Sequence, residues 1–303
     1  MFTRNTAIHI GFMVIPIIAL QDEAVKEPPK SLAEVETRID RVSAKHLFTE
    51  GPVWVPEGYL LFSDVPRNLV QKFVPGKGST IWREKSNGAS GHALDPEGNL
   101  YSCESRSRRV VRTNMKTGAQ ETLAERYEGK RFNAPNDICV RKDHNIYFTD
   151  PAFGQQSDTR ELDFYGIYRI SPKNELSLVA KSAGRPNGIT LSPNGRLLYV
   201  SNSDDRSILV FDVDKAGVAT NERIFVSGIT GPPDGIRTDE KGNVYVACED
   251  ISIYSSQGRL LKSIKTPEPP HNLAFGDSDL MTLYITGYTS VYRVRLPIKG
   301  ATY

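Results

Sequence analysis

The sequence predicts an all-β fold, a six-bladed β-propeller with four-stranded blades whose last blade is closed by the N-terminal strand. Three observations predict it. Helical periodicity is almost absent, while short alternating apolar runs recur between turns rich in Pro, Gly and Asn. One phrase can be read six times along the chain. Its copies begin at Glu50, Ser90, Asn136, Asn187, Asp234 and His271, roughly 37 to 51 residues apart, which is the period of propeller blades.

The elements follow in chain order. Arg4 precedes an apolar stretch over residues 7–20, broken by Gly11 and Pro16 and turning polar at Gln21 and Asp22. It falls short of the roughly 20 residues a spanning helix needs, so residues 1–21 read as a secretory signal peptide and the protein as exported, periplasmic or secreted. Ala19 is the small residue near the boundary, and an uncleaved N-terminal anchor is the alternative. Residues 22–37 form a charged, proline-containing leader, and residues 38–303 form the propeller. Within each phrase an apolar inner strand leads through a tight turn into a β-branched or aromatic return strand. Pro-Glu-Gly, Pro-Asn-Gly and Glu-Lys-Gly supply the positive φ of those turns, and His144 stands where most of the other hairpins carry Gly. The sixth phrase has an insertion at Ser278 and Asp279. Third strands are expected at residues 70–74, 109–113, 166–170, 208–213, 251–254 and 291–296. The sixth unit lacks a fourth strand of its own, so residues 41–48 are expected to supply it and remove an exposed sheet edge.

With 303 residues and 39% hydrophobic content, the chain is long enough for one large all-β domain. The net charge of +2 comes from interspersed acids and bases, with no run able to track a phosphate backbone, so nucleic acid is not an expected partner. Cys103, Cys139 and Cys248 are odd in number, fall within strand-like runs and read as buried thiols.

In a propeller, the innermost strands line a central tunnel, so the residues that start them form a ring around one axis. Here the ring is Glu50, Ser90, Asn136, Asn187, Asp234 and His271. Taken singly, an Asn or Asp at a strand entry is explained by local backbone hydrogen bonding. Together, two carboxylates and two amides aimed at one axis would repel or stay unsatisfied without a cation. Oxygen donors favour Ca2+, with Mg2+, Mn2+ and Zn2+ as alternatives. His271 is the single imidazole of the ring. It reads either as a tunnel-lining residue or as an assistant in proton transfer.

The chain resembles the senescence marker protein, gluconolactonase and luciferin-regenerating enzyme family over about residues 48–296. The resemblance rests on Thr49-Glu50-Gly-Pro-Val-Trp, Ala134-Pro-Asn136-Asp-Ile, Arg185-Pro-Asn187-Gly-Ile, Pro232-Pro-Asp234-Gly-Ile and Asn272-Leu-Ala-Phe-Gly as a set. It implies metal ligands at Glu50, Asn136, Asn187 and Asp234, and calcium-dependent hydrolysis of a small-molecule lactone, gluconolactonase-like and with a sugar lactone expected. It favours Asp234 as nucleophile or general base. Glu104, Arg131, Asn133 and Phe153, near strand ends on the ring's face, are candidates for substrate contact. The connection over residues 153–164 is read as a surface loop or a partial lid. Two other readings compete: a non-enzymatic binding module with a structural metal, and an aryl esterase or phosphotriesterase using the same electrophile. Monomer and homodimer are both open.

Overall fold

The computed structural model describes residues 1–2, 31, 32, 34, 37–153, 157 and 159–303. Nearly all of the expected signal peptide and most of the leader lie outside the described residues, as do residues 154–156 and 158 of the connection after Phe153. No helix among the described residues is long and apolar enough to cross a membrane.

Strand β1 (Ile39–Ser43) comes first in the chain and is the outermost strand of the last blade. Blade 1 follows as β2 (Thr49–Val55), β3 (Tyr59–Asp64), β4 (Leu69–Val74) and β5 (Gly78–Glu84). Blade 2 is β6 (Ala89–Leu94), β7 (Leu100–Glu104), β8 (Arg109–Thr113) and β9 (Gln120–Ala124). A two-stranded hairpin, β10 (Arg126–Tyr127) with β11 (Lys130–Arg131), precedes blade 3. Blade 3 is β12 (Ile138–Val140), β13 (Ile146–Asp150), β14 (Tyr165–Ile170) and β15 (Leu176–Ser182). Blade 4 is β16 (Pro186–Leu191), β17 (Leu197–Asn202), β18 (Ser207–Val213) and β19 (Ala219–Ser227). Blade 5 is β20 (Ile236–Thr238), β21 (Val244–Ala247), β22 (Ile251–Tyr254) and β23 (Leu260–Ile264). Blade 6 combines β24 (Pro270–Gly276), β25 (Thr282–Gly287) and β26 (Val291–Arg295) with β1, so the propeller expected from the repeat is present.

All six third strands lie within a residue of their expected bounds at either end. The closing strand does not. It spans Ile39–Ser43, pairs antiparallel with β26 (Ile39 opposite Val294), and lies N-terminal to most of the expected 41–48. Residues 44–48 instead carry the chain from the rim of blade 6 to the axis. On the way the His46 N–H donates to the Thr289 carbonyl, and the Phe48 carbonyl accepts from Val65.

The recurring phrase is a local lock. In blade 2, Asp95 accepts from the Asn99 backbone N–H and side-chain amide at 2.8 Å each, and from the Tyr101 hydroxyl at 3.1 Å. Asp239 does the same for Asn243 and Tyr245 in blade 5. In blade 6, Asp277 takes the Tyr284 hydroxyl at 2.7 Å. The Asp therefore satisfies the turn's polar groups while the tyrosine ring is wholly buried between sheets. His144 occupies its turn at φ +66°, the left-handed region that glycine fills elsewhere. Cys103, Cys139 and Cys248 are free and buried, as expected.

Neighbouring blades meet at the axis through backbone contacts. Gly91 N–H donates to the Asn136 carbonyl at 2.7 Å, Gly188 to that of Asp234 at 3.2 Å, and Gly235 to that of His271 at 2.7 Å. A Cβ on Gly188 would overlap the Asp234 carbonyl oxygen and the Gly235 main chain, so only glycine lets the two inner strands approach this closely.

Candidate functional site

Each ring residue sits at, or just before, the start of an inner strand; a β-bulge follows it in blade 1 and contains it in blades 2, 4 and 6. The bulge turns the first side chain toward the axis before the ladder resumes. Glu50 is buried, its Oε2 accepting from the Gly51 N–H at 2.9 Å and the Asn272 amide at 3.2 Å. Asn187 is buried, with its amide donating to the Ser203 hydroxyl at 3.2 Å. Asn136 and Asp234 keep some exposure, and the Asn136 side chain bonds to no described residue. Ser90 is buried within β6, its carbonyl accepting from the Ser63 hydroxyl.

The two ring carboxylates feel each other. Burial, and also the charge of Asp137, push the Glu50 carboxyl up to about 7, against the Gly51 N–H and the Asn272 amide. Asp234 is raised well above the usual carboxylate range by burial and then by the charges of Glu50 and Asp137, with Asn187 and the Gly235 N–H pulling the other way. The Asp234 Oδ1 atom is buried without a hydrogen-bond partner. Two interacting carboxylates, one of them with an unpartnered buried oxygen, and amides alongside are a donor set that a hard divalent cation fits.

His271 is held rigidly at the mouth. Its ring stacks on Phe48 with centroids 4.0 Å apart, meets Tyr288 edge-on at 4.7 Å, and points Nδ1 at the Thr49 carbonyl 3.4 Å away. Burial keeps its pKa below the ordinary imidazole value, so the ring is neutral near pH 7.

The four residues expected to touch substrate divide into two pairs. Glu104 is wholly buried and taken up by Arg109 at 2.7 Å, Asn87 at 3.1 Å and Arg83 at 3.2 Å. Asn133 is also wholly buried, its amide donating to the Asp150 and Phe164 carbonyls. Neither offers surface to the mouth, although the Asn133 Oδ1 atom is left without a partner. Arg131 keeps partial exposure, with its N–H on Glu161 and its guanidinium reaching the Ser107 carbonyl. Phe153 lies partly exposed under the Arg185 guanidinium, 4.8 Å from the ring centroid.

Glu104 belongs to a recurring device. Acids at or just past the ends of second strands fasten the loops that deliver ring residues. Asp64 accepts from the Leu47 N–H, Glu104 from Asn87, Asp150 from the Asn133 and Ala134 N–H groups at 2.8 and 2.7 Å, and Asp204 from the Arg185 N–H at 2.9 Å. These carboxylates position the site rather than line it.

Three tunnel residues escaped the sequence reading. Asp137 and Asn272 stand one position after the ring, where the other four phrases have Gly51, Gly91, Gly188 and Gly235. That break in the pattern was the available signal. A Cβ on Gly91 would overlap the Asp137 carboxylate and one on Gly235 the Asn272 amide, so these glycines make room for the two polar side chains. Arg237 pairs with Asp137 at 3.3 Å. It also lines the wall of a cavity of about 630 Å³ toward the opposite end of the tunnel, bounded by Trp54, Leu94, Val140, Phe275 and Tyr303 among others. Near that end, one ligand atom each of Asp95, Glu97 and His144 lie within 4.8 Å of one another, but the Asp95 oxygens already serve Asn99 and Tyr101.

A family model described as the SMP-30/Gluconolactonase/LRE-like region matches residues 48–289. The gluconolactonase of Zymomonas mobilis is 33% identical over 301 residues, covering 89% of this chain and 84% of the relative. The pentonolactonase of Haloferax volcanii is 25% identical over 249 residues, covering 78% and 80%. Among solved structures, a gluconolactonase from Xanthomonas campestris superposes with a TM-score of 0.80 at 29% identity, covering 86% of this chain and 90% of that one.

Proposed function

The chain belongs to the SMP-30/gluconolactonase/LRE-like family, and from that premise we propose that it is a lactone hydrolase whose tunnel ring, Glu50, Asn136, Asn187 and Asp234, holds Ca2+ and whose substrate is a sugar lactone. One observation carries the reading. The ring brings two mutually repelling carboxylates together at the tunnel mouth and leaves Asp234 Oδ1 buried without a partner.

When bound, the ion supplies an electrophile that polarises the ring carbonyl and offsets negative charge on its oxygen. The chain's own residues do the rest. Asp234 is the reacting carboxylate, either attacking the carbonyl carbon or taking a proton from the attacking water. The acyl carbon–oxygen bond of the lactone breaks, and the ring opens to a hydroxy acid. Neutral His271, fixed between Phe48 and Tyr288, is placed to take up the proton that the attacking water gives up and return it to the leaving alkoxide. Arg131 and Phe153, partly exposed, are the candidates for gripping the sugar.

The names of the gluconolactonase and pentonolactonase relatives support the substrate class. The test is a panel of sugar and aliphatic lactones offered to chelator-stripped protein with Ca2+, Mg2+, Mn2+ or Zn2+ restored. Turnover should return with Ca2+ and fall roughly 10³-fold or more in Asp234→Ala, with the circular dichroism of a folded protein retained. Single turnover in H2¹⁸O then separates the two roles of Asp234, since only a nucleophile takes up label in its own carboxylate. Full activity of the Asp234→Ala protein would remove Asp234 from the chemistry.

A further inference from the structure

Asp137 and Arg237 form a pair inside the tunnel that the proposed chemistry does not use. Asp137 is wholly buried; its Oδ2 accepts from the Ile189 N–H at 3.2 Å and from Arg237 Nη1 at 3.3 Å, while Oδ1 has no partner. The Arg237 side chain is 13% exposed, and its Nη1 also donates to the Ile236 carbonyl at 2.7 Å. Burial works against its charge, and Asp137 then restores it. The guanidinium acts on Glu50 as well, across the tunnel.

Other basic groups near the axis contribute no comparable charge. His92 is buried between the Ser63 and Ser102 hydroxyls and, by burial and then the nearby Arg83, is held neutral with its pKa pushed down to about 3. His271 is lowered too. Lys142, exposed at the opposite rim, is turned to the Thr302 carbonyl. Around a bound ion the tunnel therefore sets three carboxylates, Glu50, Asp137 and Asp234, against the one guanidinium that pairs with Asp137. The remainder is two negative charges, which one divalent ion cancels. A second divalent ion would leave an excess of positive charge in a poorly solvated channel, and that is costly.

We propose that Arg237 is the tunnel's resident second cation: together with a single divalent ion it balances Glu50, Asp137 and Asp234, so it fixes the ion stoichiometry at one and moderates the affinity. The inference rests on the reading of the ring as a divalent site, and its test reads ion binding rather than turnover.

Chelator-stripped protein is titrated with Ca2+ by calorimetry, and bound metal is counted after equilibrium dialysis. The wild-type chain should bind one ion. Arg237→Met should bind it at least about tenfold more tightly, or take a second, because charges a few ångströms apart in such a medium interact by more than a tenfold factor in affinity. Arg237→Lys should stay close to wild type, and Asp137→Asn should bind at least about tenfold more weakly. The double variant Arg237→Met with Asp137→Asn removes both charges and should return to near the wild-type affinity; it also covers the case in which Arg237→Met alone fails to fold. A folded Arg237→Met protein that binds one ion no more tightly than wild type overturns the proposal, as does an Asp137→Asn protein with unchanged affinity. A wild-type chain that binds no Ca2+ overturns it too, together with the metal assignment. Lactone turnover measured in chelator reports separately on the hydrolase reading.

Discussion

Glu50 is an acid whose surroundings favour the proton. Its ordinary pKa of 4.5 rises to about 7 in the folded chain, through burial first and with Asp137 adding to the shift. A group raised in this way contributes stability that is fully present below about 4.5 and is lost as the pH rises through about 7. In chelator, urea unfolding should therefore show the protein losing on the order of 3 kcal/mol from this residue between those limits. Saturating Ca2+ should abolish the loss, and Glu50→Gln should flatten the slope without the ion. A chelated wild-type protein whose slope matches that of Glu50→Gln would separate Glu50 from the effect. Residues of this kind were legible in the sequence because the phrase repeats and places them at equivalent positions. Arg237 was not, because it sits at a strand position where a buried charge is recognised only once its partner is known, and Asp137, just before β12, showed only as a break in the glycine pattern. Glu104 and Asn133 are wholly buried and their side chains fasten loops, a role that spacing along the chain does not display.

At the scale of elements, two sets of glycines do different work. Gly58 takes a hairpin turn at φ +95° with open space around its Cβ position, so Gly58→Ala should cost about 1 kcal/mol of backbone strain and leave ion binding alone. Gly188 faces the Asp234 carbonyl across the blade boundary. Gly188→Ala should cost about 3 kcal/mol and weaken Ca2+ binding, because the overlap can be relieved only by moving the strand entry that carries Asp234. Equal losses in the two variants, measured by urea unfolding and calorimetry, would contradict that distinction. Turn glycines announce themselves through Pro and Asn neighbours. The axial ones look the same on paper, and only the adjacent blade reveals what they accommodate. The hairpin β10–β11 was also missed, since two-residue strands carry no periodicity.

At the scale of the molecule, β1 decides whether the sheet edge of β26 is covered. Removing residues 1–37 should lower the midpoint of thermal unfolding modestly, since Leu32 packs against the apolar cluster of blades 5 and 6. Removing residues 1–43 should lower it further and promote aggregation through the bared edge. Unaltered melting and solubility in the longer truncation would mean that closure contributes little. The ring of six was legible because each blade restates the same phrase, whereas the closing strand was misplaced because residues 44–48 run across the face and obey no strand pattern. Closure also has a temporal side. Ile39 is among the first parts of the propeller to leave the ribosome, and its partner Val294 is among the last. Until translation is nearly finished, the nascent chain must keep an early strand waiting and five blades without their final neighbour. Chaperone demand and slow, late commitment to the native state follow from that delay.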